Sequence, residues 1–180
     1  QYSNDEAFGV IDEYVDIIAQ QAKESGEPEP AIILADKFST TAQIPFFNAC
    51  QKKGVKPVFG LKVVVQGKDG SDNHELILVA KNDTGRQNLN RITTEAYKMT
   101  PEKGYKLITR EQMESFKDGL ICISGGTNGL IEKEIVAGNY NGAKRVASYL
   151  KKVFNNDFYL QVQRNSSDLD GKNRENLIID

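Results

Sequence analysis

Residues 31–65 read AIILADKFSTTAQIPFFNACQKKGVKPVFGLKVVV, and this stretch, Ala31 to Val65, decides the fold class. It parses as strand, loop, helix, turn and strand. Ala31–Ala35 is a short apolar run of the kind buried on both faces of a parallel sheet. Asp36 follows where that strand emerges at its carboxyl end. Ser39 and Thr40 have the chemistry of N-caps for a helix running to Lys53, and Gly54 supplies its C-terminal stop. Val58–Val65 is the next strand. Ligands of α/β folds bind at the carboxyl ends of strands, so Asp36 and Lys62 are the first positions to test.

Working outward, Asn4 to Gly26 carries Ile11, Val15, Ile18 and Ala22 at helical spacing, and an acidic connector through Pro28 and Pro30 leads into the first strand. On the other side, a polar turn at Gly67–Asn73 precedes a third strand, Leu76–Ala80. Asn82-Asp83-Thr84 opens a helix with Leu89, Ile92 and Ala96 on one face, and Thr84 with Gln87 has capping-box spacing. After a loop at Thr100–Lys106, Thr109 and Gln112 repeat that spacing. Leu120–Ile123 is a fourth strand, ending in Ser124-Gly125-Gly126. Helices follow at Leu130–Ala137 and Asn139–Phe154, then a fifth strand at Phe158–Val162, a polar turn at Ser166–Gly171 and a further helix. Strands alternate with helices, so the class is α/β, with a parallel sheet or barrel expected.

At 180 residues the chain is one domain or most of one. Its 23 Lys and Arg against 25 Asp and Glu leave a net charge of −2, no footprint for gripping a phosphate backbone unaided. It has neither a run of about 20 apolar residues, the length that spans a bilayer, nor a charged-then-apolar leader. A cytoplasmic protein with no membrane partner is expected. Cys50 and Cys122 lack metal-ligand spacing and sit in apolar-periodic segments, which favours buried free thiols over a disulfide or metal site. The chain opens on Gln1-Tyr2-Ser3 and stops inside a helical pattern at Asn176-Leu177-Ile178-Ile179. A piece of something longer, truncated at both ends, is expected.

Few residues suggest chemistry by themselves. Ser124-Gly125-Gly126 before a helix could seat a phosphate, but it matches neither the Walker nor the dinucleotide glycine spacing, which favours a tight strand-to-helix turn. His74 is the single histidine and begins a strand, where a solvated or hydrogen-bonded ring is commoner than a catalytic one. Asp36 could ligate a metal or cap the following loop. Lys37 and Lys62, two ammonium groups at neighbouring strand ends, would repel a divalent cation unless each is simply solvated.

The order of motifs carries more. Leu34-Ala35-Asp36, Gly54-Val55-Lys56-Pro57-Val58-Phe59-Gly60, the run from Leu78 through Ala80-Lys81-Asn82-Asp83-Thr84-Gly85-Arg86-Gln87-Asn88-Leu89, Gly119 to Gly126 and Asp157-Phe158-Tyr159-Leu160-Gln161 resemble the polymerase-and-histidinol-phosphatase (PHP) domain. The form resembled is that at the N-terminus of the bacterial DNA polymerase III alpha subunit. The stretches at residues 54–60 and 80–89 are the most specific to that branch. The resemblance implies a distorted (β/α)7 barrel, here a partial PHP domain over residues 1–180, with metal ligands at the carboxyl ends of its strands. Active members hold divalent ions such as zinc or manganese there and hydrolyse phosphoesters, some as proofreading nucleases.

Carried onto this sequence, the family's Asp-His pair falls on Asp36-Lys37 and its next glutamate on Lys62. The histidine opening the third strand falls on Glu75, with His74 one residue early and so on the other face. A later ligand position falls on Gly126. The paired-histidine and Asp-x-His motifs would lie before Gln1 and after Asp180. The resemblance therefore implies vestigial metal positions at Asp36, Lys37, Lys62, Glu75 and Gly126, no cofactor in this piece, and an ion-pair network among Lys37, Lys62, Asp36 and Glu75. It also implies a DNA-directed DNA polymerase as the parent chain, with its magnesium-dependent nucleotidyltransferase centre elsewhere and DNA bound through the full-length protein. The implied partners are the proofreading exonuclease subunit and other polymerase III holoenzyme subunits. The rivals are an active metal-dependent phosphoesterase or 3′-5′ exonuclease whose remaining ligands lie outside the chain, and a free-standing binding domain.

Overall fold

A computed structural model describes residues 10–67, 73–99 and 106–162. The turn expected at Ser166–Gly171, the helix after it, and most of the expected 67–73 and 100–106 connections lie outside those residues. The elements are helices Ile11–Ser25 (α1), Gln43–Lys53 (α2), Asp83–Lys98 (α3), Arg110–Ser115 (α4), Leu130–Val136 (α5) and Tyr140–Phe154 (α6), with strands Ala31–Lys37 (β1), Lys56–Val65 (β2), His74–Ala80 (β3), Leu120–Ser124 (β4) and Phe158–Tyr159 (β5). The α/β class follows as expected.

The described strands form one sheet in the order β1-β2-β3-β4-β5. β1 pairs parallel with β2 and β4 with β5, but β3 is antiparallel to both neighbours. The sheet is thus mixed, not wholly parallel. The reason is the short polar connection between Val65 and His74. A parallel return needs a crossover of about a dozen residues or more, whereas a hairpin reverses the strand in a few. One consequence positions everything below: the amino end of β3 lies beside the carboxyl ends of β1, β2 and β4.

Alternation along the strands divides the sheet into two faces. Leu61, Val63, Leu76, Leu78, Leu120 and Cys122 share one face and are buried beneath Leu89, Ile92 and Ala96 of α3 and Ala143, Leu150 and Phe154 of α6. The same face at β1 and β2 supplies Ile32, Leu34 and Phe59 to a second cluster with Val15 of α1 and Phe46, Ala49 and Cys50 of α2. Phe46 and Phe59 meet edge to face, centroids 6.1 Å apart. The opposite face carries Ile33, Lys37, Lys62, Val64, Glu75, Ile77, Ile123 and Tyr159. It is not sealed: Ile33 is 50% exposed, so β1 is not buried on both faces as its apolar run suggests. Cys50 and Cys122 are buried free thiols.

Gly26 and Gly54 end α1 and α2 in the left-handed conformation, as read from the sequence. The start of α2 differs. Ala42 is its N-cap, without a side-chain bond, while the Ser39 and Thr41 hydroxyls bond each other at 2.9 Å. The two hydroxyl groups satisfy each other locally in place of the helix end. β5 is also shorter than the expected Phe158–Val162.

Candidate functional site

Lys37, Lys62 and Glu75 gather because β3 runs against its neighbours. Lys37 is in register with Lys62, and Val64 with Glu75, which places the three side chains on one face at one end of the sheet. Lys37 Nζ lies 2.6 Å from Glu75 Oε1. The Asn128 amide donates to the other carboxylate oxygen, Oε2, at 3.3 Å. The Glu75 carboxylate is mostly buried, with 11% of its side chain exposed, whereas Lys37 keeps 48%. Glu75 is thus charge-compensated on one oxygen and hydrogen-bonded on the other, as a buried carboxylate requires.

Immediately after Lys37 the backbone turns left-handed at Phe38, φ 47°. This conformation costs a bulky residue about 1–2 kcal/mol. It is held by the buried Phe38 ring and by the Phe38 N–H, which donates to the Lys62 carbonyl at 3.0 Å. The same turn stops β1 and leaves Lys37 at the rim.

Asp36 and His74 do not join this group. Asp36 is in register with Leu61, on the helix-covered face, and partial burial raises its pKa from the ordinary aspartate value. Among the described residues Asp36 makes no ion pair, while the Lys37–Glu75 pair of the expected network does form. His74 is in register with Val65 and is buried at 3% exposure, not solvated.

Gly126 lies in the turn between β4 and α5, a single 3-10 turn over Gly126–Asn128, with Gly126 at φ 57°. This is the tight strand-to-helix turn expected. It packs directly on the start of β3: a Cβ on Gly125 would collide with the Glu75 carbonyl oxygen. That close approach is what carries Asn128 to Glu75.

Behind the turn lies a buried pair that the sequence reading did not single out. Ser124 Oγ donates to Glu132 Oε1 at 2.6 Å and accepts from the Gln161 N–H at 2.9 Å. Glu132 is 3% exposed, and its Oε2 has no hydrogen-bond partner among the described residues. Burial, opposed in part by the Ser124 bond, raises its pKa. The available signal was Glu132 following the apolar pair Leu130-Ile131 at the start of the short helix Leu130–Val136, and the neighbouring Lys133 and Glu134 obscure it. Asn128 gave less: its partner is 53 residues away.

Among the described residues, the side chains at these strand ends are a poor donor set for a divalent cation. A protonated lysine offers hydrogens and no lone pair, and Glu75 already faces an ammonium. Among the described residues no group of three or more His, Cys, Asp or Glu side chains is placed to hold a metal ion.

Residues 1–165 match the PHP domain family. The chain belongs to that family. This PHP domain is 34% identical over 145 residues to a DNA polymerase III subunit alpha of Borreliella burgdorferi, covering 74% of this chain and 12% of that protein. It is 29% identical over 166 residues to the corresponding subunit of Campylobacter jejuni, covering 82% of this chain and 13% of that protein. This PHP domain therefore spans about an eighth of the polymerase subunits that it matches. Among solved structures it is similar to an amidohydrolase from Chromobacterium violaceum with bound sulfate and no metal, at TM-score 0.46 and 12% identity over 87% of this chain and 74% of that one. No helix among the described residues is long and apolar enough to cross a membrane.

Proposed function

We propose that this PHP domain is the N-terminal scaffold of a DNA polymerase III alpha subunit, with its ancestral metal site closed by side chains. The vestigial positions are Asp36, Lys37, Lys62, Glu75 and Gly126. The observation that carries the reading is the Lys37–Glu75 ion pair at 2.6 Å: an ammonium occupies the face where the family places a cation, and it consumes the one carboxylate left there. Lys62 adds a second ammonium in register with the first. Asp36, the retained acid, sits on the opposite face and is held toward its neutral form by burial.

In this reading templated DNA synthesis, with its magnesium centre, lies in a later part of the parent chain. This piece supports that part in the cytoplasm and docks the proofreading exonuclease subunit of the polymerase III holoenzyme. A domain that no longer hydrolyses phosphoesters fits proofreading supplied by a separate subunit.

The test is metal content with activity. The protein is equilibrated with excess zinc or manganese, freed of loose ions and analysed for bound metal, then assayed on a chromogenic phosphodiester and a single-stranded 3′ end. Substoichiometric metal and no hydrolysis are expected. One ordered metal ion per chain at the Lys37–Glu75 cleft, with metal-dependent hydrolysis, returns the phosphoesterase reading instead.

A further inference from the structure

At the other end of β2 and β3 from the Lys37–Glu75 pair lies a groove of about 690 Å³. Its walls come from the start of β2, the end of β3 and the first turns of α2 and α3. These are the two sequence stretches, 54–60 and 80–89, that the scaffold reading leaves without a task.

Three features of the groove point to one kind of ligand. Its floor is apolar, with Phe59 half-buried and two large side chains, Ile44 at 73% and Phe47 at 44%, left exposed beside it. Its polar lining is rich in donors. Among the described residues that line it, Lys56, Lys81 and Arg86 stand against one lining carboxylate, Asp83, and Gln43 has a buried Nε2 without an acceptor. In a chain of net charge −2 such a local excess of cations is a departure from the average. Lys81 is held by Asp157 at 2.8 Å and Arg86 lies 3.6 Å from Asp83, while Lys56 has no ion pair among the described residues. Exposed pairs of this kind are worth little and exchange readily for an incoming carboxylate. Finally, β3 joins β2 only from Gly60 onward, so among the described residues Lys56–Phe59 pair with β1 alone. A strand with one side unpaired can accept an extended segment.

We propose that this groove binds a short, extended acidic segment of a partner protein. The segment lies along Lys56–Phe59, sets one bulky apolar side chain against Phe47 and Phe59, and places its carboxylates by Lys56 and Arg86. The proposal does not rest on the scaffold reading, since neither metal binding nor hydrolysis at the far end of the sheet bears on it.

The test titrates the full-length protein with a fluorescein-labelled peptide in which Asp and Glu flank one central Phe, read by anisotropy. Two control peptides replace the acids by Lys or the Phe by Ser. Saturable binding is expected, weakened about tenfold or more by Lys56→Glu with Arg86→Glu, by Phe47→Ala, and in both control peptides. Phe47 and Lys56 are exposed, so these variants should fold; Val136→Ala, at another exposed apolar position, should leave affinity unchanged. No binding overturns the proposal, as does equal binding of the Lys-substituted peptide or indifference to Phe47→Ala. Displacement by single-stranded DNA as effective as by unlabelled peptide also overturns it, because a phosphate polyanion would then be the occupant.

Discussion

Glu132 sits in an environment at odds with what its side chain ordinarily needs. It is an acid at 3% exposure, with one oxygen bonded to Ser124 and the other without a partner among the described residues. Burial penalises its ionised form, so its folded pKa stands above the unfolded value. For an acid raised in this way, the contribution to stability is complete below the ordinary carboxylate range and is lost as pH climbs through the raised pKa. Glu132→Gln keeps an acceptor for Ser124 and cannot ionise. Urea midpoints of the two proteins, measured from about pH 4.5 to about pH 7.5, should therefore diverge in favour of the Gln variant as pH rises. A constant difference across that range would mean that Glu132 titrates alike in the folded and unfolded chain. Asp36, also raised by burial, pushes both proteins in the same direction and cancels in the comparison.

The helix ends show how sequence spacing is decided by local competition. Thr109 and Gln112 form the capping box their spacing predicts: the Gln112 N–H donates to Thr109 Oγ1 at 3.2 Å, and the Thr109 N–H donates to Gln112 Oε1 at 2.9 Å. Thr84 and Gln87 have equal spacing, yet the N-cap of α3 is Asn82, whose Oδ1 accepts from the Gly85 N–H at 3.0 Å. Asn82 precedes Thr84 on the way out of β3, and its extended backbone, ψ −177°, lets the amide oxygen reach over the first turn. With Asn82 as the cap, Thr84 is the second residue of the helix and no longer at its end. Thr109→Ala should cost about 1 kcal/mol in chemical denaturation, whereas Thr84→Ala, at an exposed position, should fall within about 0.5 kcal/mol of the parent. Equal losses would mean that Thr84 shares the cap.

At the scale of the whole molecule, the α/β class and the buried stripe of α3 were legible because apolar runs and helical periods are local properties. Leu89, Ile92 and Ala96 are all fully buried. Strand direction was less legible. β3 was placed in a parallel sheet by its alternation with helices, although the short polar link from Val65 to His74 carried the opposite message. Part of the site could be read: Glu75 and Lys37 were expected to pair, and the one-residue change of face between His74 and Glu75 follows from strand periodicity. Asn128 and Glu132 were not, because a turn folded back onto β3 brings them in, and that packing has no period in the sequence.

The same geometry bears on how the domain is used. Its strand ends are bridged by Lys37 and Glu75. If docking the exonuclease subunit is this domain's role, the complex should form without divalent ions. Size-exclusion of the chain mixed with a polymerase III exonuclease subunit at micromolar concentration should give one co-eluting species, unchanged by a chelator. Lys37→Ala with Glu75→Ala should loosen the strand ends locally and leave that elution position in place if the docking surface lies elsewhere. A complex that dissolves on chelation would tie docking to metal at the strand ends. Failure to form any complex would count against the docking role.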